Sequence, residues 1–131
     1  MALCSCQRDH APSSTDPAIA IAKRDWAAQD LILAAGEQAA DCPAAGQAMQ
    51  AVLAAHRNDL VAAAATTREP AKVELVTNYM VAHPDEFPDQ DDRWDQLLGR
   101  CPKNPAIQAV HAEIQLPDRK LAEPEPLPAT P

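Results

Sequence analysis

Apolar residues recur every three or four positions along most of the chain, and proline-containing breaks separate the apolar runs. This spacing is typical of amphipathic helices, and the two-residue alternation typical of strands is nearly absent. Proline is tolerated at the first helical position, because its missing N–H would have no partner there. The pattern predicts an all-α protein with helices over residues 17 to about 40, 43 to about 66, 70–82, 89–100 and 105–115.

Large side chains are few, since aromatic residues make up only 3% of the chain. Leu31 and Ile32 widen the apolar face of the first predicted helix, and Val73 belongs to that of the third. We expect Trp26 and Trp94 to be the two large core anchors of an otherwise alanine-filled bundle, with a ligand-stacking pair as the alternative.

The two ends of the chain lack apolar spacing and are rich in proline and polar residues. The chain therefore divides into three parts. Residues 1–15 are interpreted as a signal-peptide remnant with a flexible tether, residues 16–115 as a helical bundle, and residues 116–131 as a disordered, proline-rich tail.

Residues 3–6 read Leu-Cys-Ser-Cys. This resembles the lipobox of bacterial lipoproteins, which implies that Cys6 is lipidated and that Gln7 directs sorting to the outer membrane in a Gram-negative cell. A signal peptide also needs a charged start and an apolar region of ~7 to 15 residues, so we expect the true start to lie upstream of Met1. The alternative is a cytosolic protein with two incidental thiols.

The cysteine count then bears on the fold. If Cys6 is lipidated and Cys4 is lost with the signal, Cys42 and Cys101 remain in an oxidising compartment. We predict a disulfide between them, with two separate buried thiols as the alternative.

This disulfide restricts the topology, because Cys42 opens the second predicted helix and Cys101 follows the fourth. The second helix runs ~36 Å away from Cys42, and bridged Cα atoms lie within ~7 Å. The chain must return over residues 69–100, so the third and fourth helices must point the same way. We predict a small bundle of three long limbs, the third kinked near His83-Pro84, plus a short C-terminal helix.

The cysteine spacing resembles that of small, Cys-bridged, all-helical lipoproteins of myxobacteria and related bacteria. The similarity covers roughly residues 25–112 and depends on Cys42-Pro43, on residues 99–105 and on the stripe of Met49, Val52, Leu53 and His56. It implies a helical periplasmic lipoprotein, from a set mostly without assigned function.

Composition excludes several function classes. A net charge of −8 argues against nucleic-acid binding, which needs a basic patch. The three glycines do not form a phosphate-binding loop, and every serine precedes the first helix, so no nucleophile elbow is predicted. No stretch reaches the ~18 apolar residues of a membrane span. We expect no catalysis.

Tyr79 and His83 are four residues apart and so lie on one helical face. Together with Pro84 they resemble the Tyr-x-x-x-His-Pro segment of actinobacterial heme-carrier proteins. The resemblance implies heme or tetrapyrrole binding through Tyr79 and His83. The alternative, which we favour, is a tyrosine that packs its ring and a histidine that caps a helix end.

Metal sites find little support in the sequence. Neither His56 nor His111 belongs to a His-x-x-x-His or Glu-x-x-His pairing within one helix, and six carboxylates in residues 85–95 lack the glycine and the final glutamate of an EF-hand. We interpret these acids as stabilising a helix start.

The leading hypothesis is a lipid-anchored, non-catalytic bundle in the cell envelope, outer-membrane-anchored and facing the periplasm. Its predicted partners are the membrane, through the N-terminal lipid, and an envelope protein. No metal or obligatory cofactor is expected. The alternatives are a heme or tetrapyrrole carrier and a soluble cytoplasmic helical interaction module.

Overall fold

The computed structural model describes residues 16–115, which form five α-helices and no strand. The predictions for Cys6, for the tether in residues 1–15 and for the tail in residues 116–131 lie outside the described residues. A 3₁₀ turn, Pro84–Glu86, separates the third helix from the fourth. The helices are α1 (Pro17–Gln38), α2 (Cys42–Thr66), α3 (Pro70–Ala82), α4 (Asp91–Arg100) and α5 (Pro105–Gln115).

Three of the helix starts combine a proline with a side-chain cap. The Asp16 carboxylate accepts a hydrogen bond from the Ala18 N–H at 2.8 Å, and the Asp41 carboxylate accepts one from the Ala44 N–H at 2.9 Å. Asn104 does the same for α5. Each cap satisfies an amide that has no partner inside its helix, which explains why the proline breaks mark helix starts so well.

The first two helices form an antiparallel pair. Arg24 near the start of α1 lies 3.5 Å from Asp59 in the second half of α2. Gly36 near the end of α1 faces Met49 in the first half of α2. A Cβ at Gly36 would overlap the Met49 sulfur, so glycine allows this close approach.

The predicted return limb is confirmed. Tyr79 of α3 packs with Ile19 of α1, and the Phe87 ring lies 5.8 Å from Trp26. Farther along, Arg93 of α4 binds Asp30. These contacts advance in the same order on both sides, so α3 and α4 run one after the other alongside α1.

The last helix runs along α2 in the same direction as α2. The Asn104 side chain donates to the Cys42 carbonyl at 2.9 Å, and Arg57 pairs with Glu113 at 2.7 Å. The main core lies between α1, α2, α4 and α5. Its fully enclosed side chains include Ile32, Leu33, Met49 and Ile107.

Some details of the sequence prediction are wrong. Leu31 is 48% exposed and Val73 is 38% exposed, although both were assigned to apolar faces. A three-to-four spacing leaves the edge of a helical face undecided, and the neighbouring helices decide it. The fourth helix begins at Asp91 instead of Asp89, because Asp89 accepts from the Asp91 N–H and so precedes the helix. Within residues 16–115, no helix has both the length and the apolar character to cross a membrane.

Candidate functional site

Tyr79 and His83 lie together at the end of α3, as their spacing predicts. Their rings stack with centroids 4.0 Å apart and an interplanar angle of 15°. Tyr79 is buried, with 3% of its surface exposed, and His83 is half-buried. The stack places a phenol and an imidazole side by side at the junction of α3, the 3₁₀ turn and α1.

His83 ends α3 and caps it. Its backbone N–H donates to the Tyr79 carbonyl at 2.9 Å, and its Nδ1 lies 3.0 Å from the same oxygen. Because a carbonyl oxygen only accepts, this distance places the proton on Nδ1. The predicted alternative for this pair, a packed tyrosine ring beside a capping histidine, describes the observed geometry.

Two further side chains join the stack, and sequence reasoning did not identify them. Glu86 Oε1 accepts from the Tyr79 hydroxyl at 2.9 Å and lies 2.9 Å from Lys23 Nζ. Lys23 also sits over the Tyr79 ring, 5.3 Å from its centroid. We refer to Lys23, Tyr79, His83 and Glu86 as the Tyr79 cluster.

The contacts within the Tyr79 cluster favour the charged forms of Glu86 and Lys23. The Lys23 ammonium, with help from the Tyr79 hydroxyl, holds the pKa of Glu86 below its usual value. Glu86, followed by Tyr79, raises the pKa of Lys23 in return. Lys23 and Glu86 therefore form an ion pair of zero net charge, and Glu86 Oε1 also accepts the hydrogen bond from the Tyr79 hydroxyl.

An axial heme ligand would have to come from groups that already have partners. The Tyr79 hydroxyl would have to leave Glu86, and the Tyr79 ring would have to leave His83. Behind the stack lie Ile19 and Phe87. Heme binding through Tyr79 and His83 stays a prediction, and it requires that this packing opens.

Cys42 and Cys101 form the predicted disulfide, with Cα atoms 5.7 Å apart. Cys101 is buried and Cys42 is half-buried. Asn104 adds a second tie at the same point, since its amide donates to the Cys42 carbonyl while its oxygen caps α5. The bridge and Asn104 together fix the end of α4 and the start of α5 to the start of α2.

The two histidines considered for zinc lie in different settings. His56 Nδ1 lies 3.7 Å from an Asp59 oxygen, and the His111 ring packs against Trp94 with centroids 4.7 Å apart. Burial lowers the pKa of His111 below its ordinary value. Among residues 16–115, no group of three or more His, Cys, Asp or Glu side chains is placed to hold a metal ion.

The acidic stretch flanks the start of α4, and one arginine within it reaches α1. Asp91 and Asp92 lie in the first turn, where the helix dipole favours carboxylates. Arg93 pairs with Glu37 at 2.7 Å and with Asp30 at 2.5 Å. The sequence signal was a single arginine among six acids, but its partners 56 and 63 residues earlier could not be identified from spacing.

The tryptophans differ in burial. Trp94 is 4% exposed and is a core anchor, as predicted. Trp26 is half-buried beside Phe87, and its indole N–H lacks an acceptor among the described residues. Gln90, which sequence reasoning did not single out, is 5% exposed and its amide nitrogen also lacks an acceptor there. The two tryptophans contact different partners, so nothing in these contacts makes them a stacking pair.

Comparison with known protein families, with characterised proteins and with solved structures finds no match to this chain.

Proposed function

We propose that this protein is a lipid-anchored helical bundle of the cell envelope, attached through Cys6, that acts by binding or by structural contact and not by catalysis. The observation that carries the proposal is the division of its four cysteines. Cys42 and Cys101 bridge, which supports an oxidising compartment, and Cys6 ends a lipobox-like segment. An exported chain with an N-terminal acylated cysteine accounts for both.

The chemistry of the described residues supports a non-catalytic role. In the Tyr79 cluster the phenol, the carboxylate and the ammonium bind one another, and His83 caps its own helix. A general acid or base must lie within hydrogen-bond reach of a substrate, and Tyr79 is only 3% exposed. These groups instead hold α3 and the 3₁₀ turn against α1.

Metabolic labelling tests the anchor. The chain is expressed in a Gram-negative host with an apolar signal segment joined ahead of Met1, and cells are grown with radiolabelled palmitate. We expect label in the wild-type chain and in Cys4→Ser, which keeps a small residue at its position, and no label in Cys6→Ser. Equal labelling of Cys4→Ser and Cys6→Ser would show that Cys6 is not the acylated residue.

A second measurement distinguishes the proposed function from its main alternative, a soluble helical interaction module. Mass spectrometry of unreduced protein from the same cells reports whether Cys42 and Cys101 are bridged. We expect a bridged, acylated, membrane-associated chain. An unlabelled chain with two free thiols in the cytoplasmic fraction would overturn the proposal in favour of a soluble helical interaction module.

A further inference from the structure

The outward side of α3 leaves two valines exposed to solvent. Val73 is 38% exposed and Val81 is 75% exposed, the highest value for a large apolar side chain there. The two valines are eight residues apart, about 12 Å along the helix, with exposed Thr77 between them on the same side. We call Val73, Thr77 and Val81 the outer face of α3.

α3 and the residues around it also carry fewer charged side chains than the segment that follows them. Residues 66–83 contain two basic and two acidic side chains, whereas residues 84–95 contain six carboxylates and one arginine. The charged residues of α3, Lys72 and Glu74, both lie in its first half. From residue 75 to residue 82 the helix has no charge, so the part of the outer face around Thr77 and Val81 can approach a lipid surface without desolvating an ion. Val73 lies between Lys72 and Glu74 at the edge of this uncharged part.

The end of α3 lies beside the described residues that are nearest in sequence to Cys6. Tyr79 packs on Ile19, so the end of α3 lies beside the start of α1. Ten residue steps separate Cys6 from Asp16, and a fully extended chain of that length reaches at most about 35 Å. A lipid on Cys6 therefore keeps the start of α1, and the end of α3 beside it, within about 35 Å of the membrane.

We propose that the outer face of α3 lies on the lipid surface to which Cys6 is attached. The inference rests on the proposed lipid anchor. Two partly exposed valines bury too little area to bind a bilayer alone. Attachment makes the contact intramolecular and raises the effective concentration of the surface, so a weak face becomes occupied. The face is thus a membrane contact that operates only in the anchored protein.

The test supplies the anchor chemically. In a Cys4→Ser chain with the disulfide intact, Cys6 is the one free thiol, and it is coupled to maleimide lipid in phosphatidylcholine vesicles. Hydrogen exchange is compared with that of the same chain capped by N-ethylmaleimide and mixed with the same vesicles. We expect amides of residues 76–83 to exchange about tenfold more slowly in the anchored chain, because the lipid contact opposes local opening of α3.

A pair of variants makes the test specific to the face. Val81→Glu places a carboxylate on the outer face of α3, whereas Val61→Glu places one at a comparably exposed position of α2 (51%). We expect Val81→Glu to abolish the protection and Val61→Glu to retain it, with unchanged circular dichroism in both. Equal exchange in anchored and capped chains would overturn the proposal, as would equal loss in both variants. Protection of the capped chain that grows with protein concentration would assign the face to a second copy instead.

The outcomes also separate this inference from the proposed function. Coupling to vesicles does not depend on acylation in cells. Protection on vesicles without palmitate labelling in cells would contradict the proposed anchor but leave the lipid-contacting face in place. Labelling of Cys6 without protection on vesicles would support the anchor and contradict the membrane contact of α3.

Discussion

The two halves of the return limb, α3 and α4, are held in the bundle by different means. α3 has 13 residues but buries only Tyr79, and two of its valines face outward. α4 has 10 residues, yet it buries Trp94 and Leu97 and leads directly into the disulfide at Cys101. The comparison shows that the shorter, more charged helix is fixed more firmly, because tertiary packing and covalent ties outweigh helix length.

The largest expected effect concerns the covalent tie at the end of α4. The double variant Cys42→Ala, Cys101→Ala removes a bridge between residues 59 apart. We expect the free energy of unfolding to fall by about 4 kcal/mol, since a loop of that length no longer restrains the unfolded chain. Urea unfolding followed by circular dichroism measures this. Cys4→Ser with Cys6→Ser is the control, and an unchanged midpoint in the bridge variant would contradict the interpretation.

The second largest expected effect comes from leucine-to-alanine substitutions in the two helices. Leu97 of α4 is 2% exposed and faces Gly36, whereas Leu75 of α3 is only half-buried. We expect Leu97→Ala to cost about 3 kcal/mol and Leu75→Ala about 1 kcal/mol, because the first leaves a cavity in the main core. Equal losses in urea unfolding would show that α3 is packed as firmly as α4.

The ion pairs of α4 contribute less. Arg93→Met leaves Glu37 and Asp30 without their partner, and we expect a loss of about 1 kcal/mol, since the pairs are partly exposed. The loss should shrink at 1 M salt. Arg68→Met is the matched control, because Arg68 is exposed and forms no salt bridge among residues 16–115. A loss that is independent of salt would indicate packing of the side chain instead of charge.

Acidification should weaken the fold in two steps. Burial lowers the pKa of His111 in the folded state, so its contribution is present above its ordinary value of 6.5 and is lost as pH falls through the folded pKa. Arg93 lowers the pKa of Glu37, whose contribution is present above 4.5 and is lost as pH falls further. Urea midpoints measured against pH should show that His111→Asn removes the first step and Arg93→Met weakens the second. A midpoint that rises on acidification would contradict both signs.

The smallest expected effect is on tetrapyrrole binding at α3. Because Tyr79 and His83 already have partners, we expect hemin titration to give no Soret shift beyond that of a protein-free blank. A saturable shift that is lost in Tyr79→Phe and in His83→Ala, but kept in His111→Asn, would contradict this and establish a carrier site. It would also show that the packing of α3 opens readily, and it would increase the contrast between α3 and α4.

Sequence reasoning was most accurate where the chain carries local signals. The starts at Pro17, Pro70 and Pro105 were located to the residue, because a proline marks each first turn. The start of α4 was two residues off, because Pro88 and Asp89 belong to the approach to the helix. The direction of the return limb followed from the cysteine spacing, which is a geometric constraint and not a local signal.

Only two of the four residues in the Tyr79 cluster could be identified from the sequence. The Tyr79 and His83 pair lies within one turn of helix and was found by spacing. Lys23 comes from another helix, and Glu86 comes from a turn beyond the kink, so no period in the sequence connects them to Tyr79. The exposure of Val73 was missed for a similar reason, since the face that a helix buries depends on its neighbours.

The sequence by itself determined the helical class, most helix boundaries and the cysteine pair, because these depend on local backbone preference and on chain length. Only the tertiary structure decided which polar groups meet and which apolar residues stay outside. The physical reason is that α3 packs against the cluster of Ile19, Tyr79 and Phe87 on one side, so the burial of its residues is set by where its neighbours lie. Two valines of α3 stay exposed, whereas Trp94 and Leu97 of α4 are buried.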